Sequence, residues 1–277
     1  MTAAYEQEIA EWRARAEADL RADDGWLTVV GLFWLKQGRN TVGSDAECDV
    51  VLPAGPALLG WIELEDESAT LRAAGDGVVV NGELAAAHEL RPDVPGPPDF
   101  VTVGDVTFFL LRRAGRLGVR VRDKNSAARR AFEGRRWFPV REEYRVEARF
   151  TAYEPPRPVA IANILGDTEA MTAAGYASFV LGGRELRLEA LSRSDGQLFF
   201  IFRDGTSGHE TYPAARFLVT PRPAGEALTL DFNKAYNPPC AFTDYATCPL
   251  PPPGNHLPVR IEAGELMPRS HGANHAG

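Results

Sequence analysis

The sequence predicts a mainly β protein: an N-terminal helix, a β-sandwich, then a second antiparallel β-unit, a small barrel or bent sheet, closed by a proline-rich loop. Three observations carry this reading. Between Arg39 and Arg122, short apolar runs recur every ~8–12 residues with Gly and Asp between them, the rhythm of a sandwich. From Tyr144 to Phe150 the chain alternates, with Tyr144, Val146, Ala148 and Phe150 on one side and Arg145, Glu147 and Arg149 on the other, as in a half-buried strand. From Asp231 to Glu265, Pro238, Pro239 and the run Pro251-Pro252-Pro253 remove backbone donors and exclude a regular helix or a central strand.

Taken in order, Tyr5, Ile9, Trp12, Ala16 and Leu20 recur at spacings of three or four and define one face of a helix over about Ala3 to Ala22, stopped by Asp23-Asp24-Gly25. Trp26 to Leu35 reads as a buried strand or a tight apolar turn. Strands follow at Asp49–Leu52, Gly60–Leu64, Ala69–Ala73, Gly77–Val80, Phe100–Val103, Val106–Arg112 and Leu117–Arg122. Tyr153 to Pro158 (YEPPRP) reads as a linker or sheet-edge crossing. A second set comprises Tyr176–Leu181, Arg184–Leu191, Leu198–Arg203, Arg216–Val219 and Leu228–Phe232, with turns such as Gly182-Gly183 and Asp195-Gly196. The expected division is helix 1–24, sandwich 25–125, second β-unit with the proline-rich loop 126–268, and a flexible tail 269–277 that holds His271 and His275.

Composition bounds the function. A chain of 277 residues with 44% hydrophobic and 25% charged residues is an ordinary globular protein. A formal net charge of −8 argues against nucleic acid or an anionic membrane as partner. Yet Arg112 to Arg149 holds twelve arginines and one lysine against five acids, a local +8. No apolar run reaches the ~18–20 residues of a membrane span, and the first residues lack the layout of a secretion signal, so the expected compartment is the cytoplasm. There Cys48, Cys240 and Cys248 are expected reduced.

The runs NPPCAFTDYATCPLPPPGN, GWLTVVGLFWL and RRAFEGRRWFPV resemble a bacterial and archaeal family known as domain of unknown function sixteen eighty-four, over the stretch from about Trp12 to Glu265. That resemblance implies no established activity. The phrase NTVGSDAECDVVLP, followed by VVVNGE and VGDVTFFLL, is similar in layout to forkhead-associated (FHA) domains, an FHA-like sandwich. Such domains read phosphothreonine through an arginine and a serine-to-histidine motif. Here Ser44 follows Gly43, and LLGWIEL stands where the second motif belongs, so the architecture is expected without the phosphothreonine reading.

Candidate chemistry concentrates in the second half. Cys240, Cys248 and His256 combine donors that suit zinc, but structural sites favour cysteines two to four residues apart and seven separate these two, so packed thiols are the preferred reading and no metal is expected. Cys240 after Pro238-Pro239 is a candidate nucleophile with His209 or His256 as base, and Glu210 or His256 a candidate acid or base. Asp204 to Arg216 crowds more polar chemistry than a hairpin needs. Arg129, Arg130, Arg135 and Arg136, set around Phe132, Trp137 and Phe138, could hold an anion bidentately, whereas Arg120, Arg122, Arg145 and Arg149 fit outward strand positions. No phosphate loop, dinucleotide fingerprint, nucleophile elbow or zinc-protease motif occurs, so no cofactor is implied.

The function expected is binding of a small polar or anionic metabolite in a pocket of the second β-unit, with catalysis as a variant. His209, Glu210, Tyr212 and Arg216 are expected on one wall, facing Asn237, Cys240, Tyr245 and His256, with Asn233 nearby. The competing class is a non-catalytic interaction module that uses the sandwich, with the loop as a brace.

Overall fold

A computed structural model describes residues 2–269. The predicted tail, His271 and His275 included, lies outside the described residues apart from Arg269. The chain divides into two compact units, one spanning 20–132 and the other built from 2–19 together with 133–269. It opens with helix α1 (Ala3–Arg21), whose residues up to Asp19 belong to the second of these.

Unit 20–132 is a β-sandwich. After a 3₁₀ turn at Trp26–Thr28 come β1 (Val29–Trp34), β2 (Gly38–Gly43), β3 (Val50–Val51), β4 (Gly60–Glu65), β5 (Ser68–Ala73), β6 (Val78–Val80), β7 (Glu83–Ala85), β8 (Ala87–Glu89), β9 (Val101–Val103), β10 (Val106–Arg113) and β11 (Arg116–Asp123), then a short helix α2 (Ala127–Ala131). One sheet runs β1-β11-β10-β9-β6-β7 and the other β3-β2-β4-β5-β8. Alternation decides which face is covered. Gly60, Ile62 and Leu64 of β4 are buried, and Ile62 meets Leu71, Phe108, Leu110, Val119 and Val121 in one core fed by both sheets. One expected outward residue is buried instead: Arg120 is 4% exposed, with its guanidinium 5.0 Å from the Trp26 ring centroid. The strand β11 lies between β1 and β10 and is buried from Leu117 to Val121, so it has no solvent face for Arg120 to take.

In the other unit, β12 (Arg145–Ala162), β13 (Thr168–Leu181), β14 (Arg184–Ser192), β15 (Leu198–Phe202), β16 (Arg216–Thr220) and β17 (Ala227–Asp231) form one antiparallel, bent sheet in the order β16-β15-β14-β13-β12-β17. The alternation read at Tyr144–Phe150 stands, with Val146 and Phe150 buried and Arg145 and Arg149 exposed. The YEPPRP segment proves not to be a linker: it lies within β12. Pairing with β13 breaks between Ala152 and Arg157, where Pro155 and Pro156 fall, while Pro158 pairs with Thr172; pairing with β17 ends at Arg149, which leaves the other edge of this stretch without a ladder.

The segment after β17 is irregular but ordered, and it covers the concave face of this sheet. Phe232, Ala235, Leu257, Ile261 and Ala263 join Phe150, Leu188, Phe200, Phe202 and Leu230 in a single core. Helix α1 packs on the same unit. Ile9 is fully buried, Trp12 packs edge-on to Trp137 with ring centroids 5.5 Å apart, and the Tyr5 hydroxyl donates to Asp231 Oδ1 at 2.8 Å.

Candidate functional site

Much of the polar loop between β15 and β16 is bonded within itself. Asp204 Oδ1 accepts from the backbone N–H of Thr206 at 2.6 Å and from its hydroxyl, which also meets Thr211 Oγ1 at 2.9 Å. Arg216, expected on a ligand wall, is 1% exposed and pairs with Asp204 Oδ2; it also donates to the carbonyls of Ile261, at 3.0 Å, and Ala263. Its charge therefore holds the chain's own C-terminal segment against the sheet. Glu210 is bound by Arg260 Nη2 at 2.6 Å, which with His209 nearby holds its carboxyl below the usual range. His209 and His256 are exposed, and Tyr212 donates its hydroxyl to the Cys240 carbonyl at 3.0 Å.

The proline-rich loop is braced in the same way. Asn233 Nδ2 donates to the Arg141 carbonyl at 2.8 Å and to the Tyr5 hydroxyl, and Asn237 Nδ2 donates to the Leu266 carbonyl at 2.8 Å. Tyr245 is exposed. Cys240 and Cys248 are buried and not joined by a disulfide, and the Cys240 N–H donates to Cys248 Sγ at 3.2 Å. His256 does not join them: among the described residues no group of three or more His, Cys, Asp or Glu side chains is placed to hold a metal ion. No hydrogen bond or ion pair joins any two of Glu210, His256 and Cys240, and none of the three lines the cavity described below.

The four central arginines separate. Arg129 and Arg130 belong to α2, where Arg129 pairs with Asp23 at 2.7 Å and donates to the Arg21 carbonyl at 2.8 Å, while Arg130 donates to the Asn125 carbonyl. Arg136 is exposed, and its carbonyl accepts from the Leu266 N–H. Arg135 reaches a cavity. That cavity, about 470 Å³, is lined by Trp12, Arg15, Ala16 and Asp19 from α1, by Arg135, by Arg193 and Gln197 from the β14–β15 turn, by Val219 of β16, and by Lys234 and Tyr236.

Each element presents its residue for a local reason. Trp12, Arg15, Ala16 and Asp19 recur at helical spacing, so they share one face of α1. Arg193 is held at the turn by Asp195, with Nε and Nη2 at 3.0 and 2.9 Å from Oδ2. Arg135 lies beside a short antiparallel bridge between Trp137 and Glu265. Its Nη1 meets Glu265 Oε2 at 2.5 Å, and its buried Nε has no acceptor among the described residues. Burial pushes the Glu265 carboxyl up to about 7, against the opposing pull of Arg135 and of the Asn237 N–H at 2.8 Å. Trp12 and Tyr236 stand with ring centroids 6.3 Å apart and planes tilted by 55°. The lining thus sets four cations against one carboxylate, Asp19, beside two aromatic rings. Of these residues Arg135 was named as a candidate from the sequence; the rest come from distant segments, and only the helical recurrence of Trp12, Arg15 and Asp19 could have signalled them.

Comparison with known proteins places this unit. Residues 130–266 match the family described as protein of unknown function (DUF1684). The matched segment belongs to this family. The matched segment takes in Arg135, the bent sheet and the proline-rich loop, while GWLTVVGLFWL lies outside it. Among solved structures, the chain is similar to an uncharacterized protein from Haloarcula marismortui determined by solution NMR, at 35% identity over 50% of this chain and 78% of that one, with a TM-score of 0.43. A crystal structure of the FhaA FHA domain complexed with the intracellular domain of Rv3910 aligns at 19% identity over 32% of this chain and 86% of that one, with a TM-score of 0.23. A search of curated proteins finds no match. Among the described residues no helix is long and apolar enough to cross a membrane.

Proposed function

We propose that this DUF1684 unit binds a small anionic molecule bearing a flat or aromatic group, in the cavity between α1, the β14–β15 turn and the segment 234–236. One observation carries the reading: Arg15, Arg135, Arg193 and Lys234 converge on a cavity of about 470 Å³ in a protein of net charge −8. That volume suits a metabolite, since small-molecule pockets run from ~300 to ~1,000 Å³. Three of the cations are steadied by carboxylates outside the lining, Arg135 by Glu265, Arg193 by Asp195 and Lys234 by Glu8, so their positions are set before a ligand arrives. Arg15 has no such partner among the described residues. The rings of Trp12 and Tyr236 offer apolar faces beside the charges. Binding alone is proposed, because Glu210, His256 and Cys240 lie outside the lining.

The test is a thermal-shift and calorimetric panel of aryl carboxylates, aryl phosphates and their neutral analogues. The anions are expected to stabilise the protein and the neutral analogues to do less. Arg15→Glu, at an exposed helix position, is expected to weaken the best anion by roughly tenfold or more while the melting temperature without ligand stays close to wild type. Equal binding of neutral and anionic probes, or unchanged affinity in the variant, would remove the cavity as the site. The second reading, an interaction surface on the sandwich, is favoured by the cross-strand pair Val79 and Leu84, which are 37% and 69% exposed. This patch is confined to a three-residue hairpin, small for a docking face.

A further inference from the structure

We propose that Cys240 and Cys248 form a reactive dithiol that a peroxide converts to an intramolecular disulfide. The proposal is independent of the anion cavity, whose lining contains neither residue. Thiols that only fill space are placed by their bulk. Here the backbone also directs polarity between the two residues, because the Cys240 N–H points at Cys248 Sγ from 3.2 Å.

The local chain holds both cysteines in position. Cys240 sits in a 3₁₀ turn (Pro239–Ala241) that follows Pro238 and is closed by N–H donation from Ala241 to the Pro238 carbonyl at 3.0 Å and from Phe242 to the Pro239 carbonyl at 2.9 Å. Its own carbonyl is fixed by the Tyr212 hydroxyl at 3.0 Å. The Cys248 carbonyl accepts from Ile164 N–H at 2.9 Å, which ties it to the β12–β13 turn. The Cys248 sulfur already lies against the Cys240 backbone, and both stretches of backbone are constrained, so little entropy opposes closure.

The environment also selects the attacking group. A hydrogen bond from the Cys248 side chain holds the Cys240 thiol below the ordinary range against the opposing effect of burial. Both residues are buried, with a residual exposure of 5–6%.

The chemistry balances. The Cys240 thiolate attacks one peroxide oxygen, the O–O bond breaks, and the departing hydroxide takes the thiol proton to leave as water, giving a sulfenic acid on Cys240. The Cys248 sulfur then attacks Cys240 Sγ, an S–S bond forms, the S–O bond breaks, and a second water leaves with the Cys248 proton. Two electrons pass from the thiols to the peroxide.

The experiment uses the full chain with Cys48→Ser, so that Cys240 and Cys248 are its only thiols. The reduced protein is treated with hydrogen peroxide, denatured in iodoacetamide and weighed intact, beside wild type in which Cys48 reports on general oxidation. The expected result is a chain two hydrogens lighter with no alkylated thiol, restored to two alkylated thiols by dithiothreitol, and formed roughly tenfold faster than Cys48 oxidises. In Cys248→Ala, dimedone is expected to label Cys240. Two alkylatable thiols surviving after Cys48 has oxidised would overturn the proposal, as would disulfide-linked dimers or an overoxidised Cys240 in place of the internal bond. Since the first measurement keeps both natural cysteines, misfolding of the alanine variant leaves the decision intact.

Discussion

Arg216 shows how one buried charge can be read in two ways. In sequence it is an arginine beside polar residues at the mouth of a β-unit, and that pattern equally describes a ligand clamp. In the fold its guanidinium is enclosed by Asp204, two main-chain carbonyls and the Phe202 ring, whose centroid lies 5.2 Å away. Arg216→Ala strands Asp204 in the interior and is expected to destabilise the protein by roughly 3–5 kcal/mol, measured as a shift in denaturant midpoint at unchanged slope. Two carboxylates give opposite pH dependences. Glu265 titrates near 7 when folded, above the ~4.3 of an unfolded glutamate, so the folded state keeps a proton that the unfolded chain has released. Stability is therefore expected to fall as pH rises from about 4 to about 7, and Glu265→Gln should flatten that slope. Asp99 behaves in the other sense. Its carboxylate accepts from Arg91 Nη2 at 2.6 Å and from Asn81 Nδ2 at 2.7 Å, which holds it far below the usual range. Its contribution is present above the unfolded value of ~3.9 and is lost as pH falls further, so Asp99→Asn should blunt acid denaturation of the sandwich. Urea titrations at stepped pH check both.

At the scale of elements, β12 and β13 stay paired through their irregularity because of Gly175. A Cβ at that position would lie 2.3 Å from the Thr151 carbonyl oxygen and 2.9 Å from Ala152 Cα, backbone atoms that cannot step aside. Gly175→Ala is expected to cost about 1–3 kcal/mol, read by thermal or urea denaturation, whereas Gly225→Ala, which meets nothing within 4 Å, should cost far less. This pair of strands also marks the limit of sequence reading. Alternation made the start of β12 legible, because one covered face imposes a period of two, while short apolar runs set between Gly and Asp made β4, β10 and β11 legible. The strand β2, GRNTVG, has no apolar run and was passed over; β7 and β8 are three residues each. YEPPRP was read as a linker or a sheet-edge crossing because prolines usually mark one, and the pairing break opposite Gly175 together with the open edge beyond Arg149 explains how a strand carries them. The site was legible at Arg135 and little further. Aromatic and basic residues that meet in a cavity from four separated segments leave no spacing in the chain for an eye to follow.

At the scale of the whole molecule, the unit 20–132 is continuous in sequence and the other is not. A fragment covering 20–132 is expected to unfold cooperatively by itself. A fragment covering 133–269 lacks residues 3–19, which supply Ile9 and the Tyr5 hydroxyl bonded to Asp231, and should gain stability when a synthetic α1 peptide is added. Calorimetry of the two fragments, with and without the peptide, would show it; a fragment 133–269 indifferent to the peptide would contradict the role given to the helix. The same discontinuity sets a timetable for biosynthesis. Helix α1 is translated before Trp137, Asp231 and Tyr236, against which it packs, and Asp231 follows Tyr5 by 226 residues. With elongation at ~5–20 residues per second, the apolar stripe of Tyr5, Ile9 and Trp12 waits on the order of 10–40 seconds for its partners. During that interval the nascent chain carries an uncovered amphipathic helix ahead of a sandwich already able to fold, the form in which a co-translational chaperone would meet it.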